Sequence, residues 1–265
     1  TSPQIVYLNG RRYLFVGGMF ASNFINIFRF EDGIAVPASL ILQWGNHLYN
    51  SDLKWPPHKP AGPSIWRDLN GDGDYQADEF ALNTARVQPG PFWVDRQGNI
   101  WMAYGFFRYD CQGLDAHGNP IYRADKITVL DKPEGVNKVA RVCYLDDSDT
   151  LVVAEEGSDM RHISRVFVCK GYRAGKRETV SFAPGAGNEA ACLTAAGDYA
   201  FTGGWKERGR IWVNRLSDGA ELGVLDPGPT VGGVANTGWI DLLTGINAFR
   251  RQDGEYLVFV EENYK

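Results

Sequence analysis

The chain has 265 residues, a mass of 29.5 kDa and a formal net charge of -5, with 44% hydrophobic and 22% charged residues. Lys and Arg are scattered rather than striped, which argues against nucleic acid as a partner, since such binding rests on clustered cations releasing counterions. The longest apolar runs, such as 256–260, fall far short of the roughly 20 residues that span a bilayer, so no transmembrane segment is expected.

The opening stretch TSPQIVYL has no basic start, apolar stretch or cleavage site, so any targeting peptide is expected to have been removed or to lie outside this sequence. From there a single plan recurs: an apolar strand, a polar turn and a second apolar strand ending in small or acidic residues. It reads QIVYLNGRRYLFVGG (4–18), FWVDRQGNIWMAYGF (92–106), ARVCYLDDSDTLVVAEEG (140–157), AACLTAAGDYAFTGGW (190–205) and NAFRRQDGEYLVFVEEN (247–263). The turns NG, RQGN, DDSD, AAGD and QDGE supply the Gly, Asn and Asp residues that tolerate positive φ in tight hairpins. Anchored on Tyr13, Ile100, Leu151, Tyr199 and Tyr256, the repeats recur about every 50 residues, except where an insertion over 44–90 follows the first.

A second hairpin follows three of the five, as FINIFRFEDGIAVPASLIL, SRVFVCKGYRAGKRETVSF and GRIWVNRLSDGAELGVL, and the second repeat keeps one in looser form. Two hairpins make a four-stranded unit, and four strands per period of this length predict an all-β fold, a β-propeller of four-stranded blades. About five repeats are visible and the last is incomplete. The chain over 1–265 is therefore expected to be one propeller domain or a fragment of one, with room for further domains in a longer chain.

Cys111, Cys143, Cys169 and Cys192 lack the short spacing of a zinc site. Three lie in strand-like surroundings, which predicts buried thiols, with a Cys143–Cys169 pair as the alternative.

Within the insertion, DLNGDGDYQADE runs from Asp68 to Glu79 and satisfies D-x-[DN]-x-[DN]-G-x5-E. Calcium wants six to eight oxygens, and the pattern offers Asp68, Asn70 and Asp72 by side chain, Asp74 by its carbonyl and Glu79 by two oxygens, around a turn at Gly73. The segment resembles the EF-hand-like calcium loops of dockerins and other secreted bacterial proteins over these 12 residues. Prolines 56, 57, 60 and 63 forbid an ordinary entering helix, so a rigid structural clip is expected, not a sensor that opens. The insertion also carries Trp44, His47, Tyr49, Trp55, His58 and Trp66, and is expected to act either as an aromatic flap ordered by Ca2+ or as a satellite core under the loop.

Alternating strand direction puts the links between hairpins and between blades on one end of the sheets. That end is expected to gather Glu155, Glu156, Arg161, His162, Trp205, Lys206, Arg208, Glu261 and Glu262, while the hairpin-turn end presents ordinary turn chemistry. Carboxylates, cations and aromatics together suit a sugar, which hydrogen-bonds at its edges and stacks at its apolar face. Glu155 with Glu261 is a candidate carboxylate pair for glycoside hydrolysis, and His162 beside Arg161 a candidate base for a lyase. No serine-hydrolase elbow, zincin, P-loop or dinucleotide signature is present.

As a whole the chain resembles extracellular bacterial β-propeller repeat proteins, NHL-like in the broad sense. The expectation is a secreted or cell-surface binding module for carbohydrate or polysaccharide, stabilised by calcium, with the periplasm as a further place for it. A polysaccharide-active hydrolase or lyase and a protein-interaction scaffold are the alternatives.

Overall fold

The computed structural model describes residues 3–18, 23–43, 55–85, 87–88, 90–187, 190–204, 209–226 and 245–260. It is all-β with almost no helix, built from four blade sheets of the β-propeller type and a final hairpin. Contacts group the chain into two compact units that part between Leu130 and Asp131, each with two blades. Among the described residues no helix is long and apolar enough to cross a membrane.

In the first unit, β1 (Gln4–Leu8), β2 (Arg11–Gly17), β3 (Phe24–Glu31) and β4 (Ile34–Leu42) pair antiparallel in chain order. The β1–β2 turn is Asn9-Gly10, both at positive φ (49° and 78°), the conformation that lets a two-residue loop follow the twist of its strands. β1 alternates buried and exposed residues, so Gln4, Val6 and Leu8 face inward. β5 (Ser64–Arg67) and β6 (Phe80–Leu82) then add to the outer edge of the same sheet, making six strands. The described part of the insertion is thus tied into the blade by main-chain ladders. Residues 44–54, with Trp44, His47 and Tyr49, lie outside the described residues.

The second blade runs β7 (Phe92–Val94), β8 (Ile100–Met102), β9 (Phe107–Tyr109) and β10 (Ile127–Val129). Tyr13, Phe15, Ile25, Ile100, Met102 and Tyr109 are among the residues that form the core between the two sheets. The turn 95–99 hangs on Asp95, whose Oδ1 accepts the N–H groups of Gln97 and Asn99 while Oδ2 accepts the indole N–H of the fully buried Trp101 at 2.9 Å.

In the second unit the third blade is β11 (Val139–Leu145), β12 (Thr150–Glu156), β13 (Ile163–Lys170) and β14 (Glu178–Phe182), and the fourth is β15 (Ala190–Ala196), β16 (Tyr199–Gly204), β17 (Ile211–Arg215) and β18 (Glu221–Leu225). Every residue of β15, AACLTAA, is buried. It packs beside β11 and β19, and its small side chains let the sheets approach. The fifth repeat contributes β19 (Ile246–Arg250) and β20 (Tyr256–Val260), a two-stranded sheet rather than a blade. One of its faces places Ile246 and Ala248 against Cys192, Phe201 and Ile211, while Phe249, Leu257 and Phe259 on the other are exposed.

All four cysteines are free thiols. Burial pushes the Cys143 and Cys192 thiols up to about 12, which removes the reactive thiolate. A thiol reagent is expected to count four thiols in denaturant and to spare Cys143, Cys169 and Cys192 in the native protein. Two or fewer thiols after unfolding would reveal a disulfide. Asp95→Ala strips a buried indole and two backbone donors of their acceptor and should cost about 3 kcal/mol in urea unfolding.

Candidate functional site

The link between β12 and β13 carries the densest cluster of sites read from the sequence. The ladder shifts register between Glu155, opposite Arg165, and Glu156, opposite Ile163. Glu155 is a positioned acceptor: its Oε1 takes the backbone and side-chain N–H groups of Asn137, at 3.1 and 3.2 Å, and its Oε2 the Ser164 hydroxyl. Glu156 pairs with Lys138 at 3.2 Å.

In the loop 157–162, Asp159 holds the turn. Its Oδ1 accepts the Arg161 backbone N–H at 2.8 Å and its Oδ2 the Arg161 guanidinium at 2.7 Å. Those side-chain hydrogen bonds hold the Asp159 carboxyl well below the usual carboxylate range. His162 meets Asp159 and the Ser158 hydroxyl through the same ring nitrogen, Nδ1, at 2.9 and 3.1 Å. A nucleophile relay needs the serine and the carboxylate on opposite ring nitrogens, so these three residues do not form one.

A residue that sequence reasoning missed positions this loop. Arg141 is 2% exposed, and its guanidinium donates to the carbonyls of Ala140, Met160 and Ala191. It pins the loop to β11 and β15. Its signal was a lone cation inside the apolar strand VARVCYL.

Of the other expected residues, Trp205, Lys206, Arg208, Glu261 and Glu262 lie outside the described residues, so the Glu155–Glu261 pair has no geometry here. Trp55 belongs to the first unit, where it is 41% exposed and meets Phe24 and Tyr75 edge-on.

The hairpin-turn end of the third and fourth blades carries more than turn chemistry. Ser148, Thr150, Lys170, Asp198, Tyr199, Arg215 and Ser217 line an open cavity of about 490 Å3, within the usual range for small-ligand pockets. Lys170 and Arg215 are repeat equivalents, each the last residue of the third strand of its blade, opposite Thr150 and Tyr199 respectively. The matched endings FVCK and WVNR are the signal that was present in the sequence.

In the first unit the loop 68–79 adopts much of the expected turn geometry. Asp68 accepts the N–H groups of Gly71 and Gly73, Asn70 that of Asp72, and Asp72 that of Asp74. The ligand set nevertheless does not converge. Glu79 turns away: its Oε1 accepts Leu69 N–H at 2.7 Å and its Oε2 the Trp66 indole N–H at 2.8 Å. Asn70 and Gln76 both donate to Asp72 Oδ2. Asp68 Oδ2 lies 2.6 Å from the Arg29 guanidinium, which also donates to the Gly71 carbonyl. Among the described residues no three Asp, Glu, His or Cys side chains gather as a metal group. As arranged, the donors Asp68, Asn70, Asp72, Asp74 and Glu79 do not fit the oxygen cage that calcium requires.

No family model matches the chain. No curated protein matches it either. Among solved structures it is similar to the glutaminyl cyclase of Myxococcus xanthus, at 12% identity and a TM-score of 0.44 over 97% of this chain and 84% of that one. It is also similar to a chain of a mitotic checkpoint complex, at 12% identity and a TM-score of 0.44 over 86% of this chain and 64% of that one. At this level neither neighbour bears on the chemistry of the site.

The depressed Asp159 carboxyl has a signed consequence. Its folded value lies below the unfolded one, so its contribution is complete above about pH 4 and is lost as pH falls through the folded value. An NMR titration should place its midpoint below that of a free aspartate, and Arg161→Ala should move it upward.

Proposed function

We propose that the chain is a binding module for acidic carbohydrate, seated in the cavity at the hairpin-turn ends of the third and fourth blades. The observation that carries this reading is the lining itself. Lys170 and Arg215 offer charge-assisted hydrogen bonds to a carboxylate or sulfate, the hydroxyls of Ser148 and Ser217 suit sugar hydroxyls, and the Tyr199 ring offers a stacking surface. Two cations against the single carboxylate of Asp198 favour a uronate or sulfated sugar over a neutral one. Arg215 approaches Asp218 at 3.3 Å, but both are about half exposed, so solvent screens the pair and the guanidinium is readily redirected.

Binding is favoured over hydrolysis because the described lining of the cavity holds one carboxylate, Asp198, where glycoside hydrolysis works with two. A polysaccharide ligand belongs with a secreted or cell-surface place, which is part of the same proposal.

Calorimetry against uronate, sulfated and neutral oligosaccharides tests it. Saturable binding is expected for an acidic oligosaccharide, weakened roughly tenfold or more in a Lys170→Ala, Arg215→Ala double variant. Equal affinity for neutral sugars, or an undisturbed double variant, would sink the proposal, as would release of shortened or unsaturated sugar.

A further inference from the structure

The 68–79 loop has the spacing of a calcium loop, yet a cation already stands at its base. Arg29 is supplied by β3 and is 4% exposed. Its Nε–H donates to Glu31, its Nη1 to Asp68 Oδ2 at 2.6 Å, to Asn119 Oδ1 at 2.7 Å and to the Pro37 carbonyl at 3.0 Å, and its Nη2 to the Gly71 carbonyl at 2.9 Å. Asp68 is fully buried, so its charge needs a buried partner, and the guanidinium is that partner.

The surroundings close on this arrangement. Asn119 donates through its side chain to the Asp68 carbonyl, so the turn 115–119 clasps the loop from the other side. Gly71 faces the His117 ring so closely that a Cβ there would lie 2.5 Å from it. Glu79, the residue that would give calcium two oxygens, is held by the Trp66 indole and by Leu69 N–H. A divalent ion beside Asp68 would face the positive charge of Arg29 in a place that water screens poorly.

We propose that Arg29 is the cation around which the 68–79 loop is built, and that the loop keeps its shape and its contribution to stability without calcium. The spacing of the acidic residues then serves the turn: Asp68, Asn70 and Asp72 cap N–H groups two to five residues on, and of the two buried carboxylates Asp68 is neutralised from β3 while Glu79 is held by the Trp66 indole and Leu69 N–H.

Thermal unfolding of the wild-type chain in excess EDTA and in millimolar calcium is the deciding comparison, with calcium calorimetry alongside. The melting temperature is expected to be the same in both, with no saturable binding. Arg29→Met is expected to lower the melting temperature by roughly 10 °C, because it leaves Asp68 buried and unpaired. Arg29→Lys should fall between the two, since it keeps the charge but not the fork of donors. A wild-type melting temperature that drops on chelation, or a saturable calcium isotherm, would overturn the proposal. Should Arg29→Met fail to fold, the two wild-type measurements still decide.

Discussion

A buried guanidinium is costly unless its surroundings neutralise and hydrogen-bond it, and the first unit is organised around meeting that demand for Arg29. Burial works against its charge, but the hydrogen bonds to Glu31 and Asp68 outweigh it and hold the arginine pKa above its ordinary value. The groups it engages come from β3, from β4, from the 68–79 loop and from the 115–119 turn, segments far apart in sequence. One side chain therefore sets the positions of an insertion and an excursion that their own local turns could shape but not place. Gly118 sits in the 115–119 turn at a φ of 84°, a conformation that favours glycine.

The second unit repeats the strategy with Arg141, which gathers carbonyls of β11, the 157–162 loop and β15. These bonds fix where the 157–162 backbone lies, and the Asp159–Arg161 pair shapes the loop from within. At the opposite end of the same sheets the repeat itself builds the cavity, because matching strands end in matching cations, Lys170 and Arg215.

The strands were readable because their physics is local. Alternating apolar residues, and turns such as Asn9-Gly10, specify hairpins within a window of about fifteen residues. The DLNGDGDYQADE turns were readable for the same reason, since Asp68 and Asp72 cap N–H groups two to five residues away. What occupies the base of that loop was not, because it depends on Arg29, 39 residues before Asp68. Nor was the attachment of β5 and β6 to the edge of the first sheet, since ladder pairing after a long insertion leaves no periodic trace. The cavity is not legible in the turns alone, because its two cations, Lys170 and Arg215, lie one residue before them, at the strand ends.

The free thiols bear on how the chain must be made. Cys143, Cys169 and Cys192 are harmless only once blade packing has enclosed them. In an oxidising compartment an unfolded chain would present them to one another before the sheets close, and no native bridge would reward a pairing. There, strand closure would have to outrun cross-linking, and local hairpins, which form in microseconds, are faster than disulfide formation.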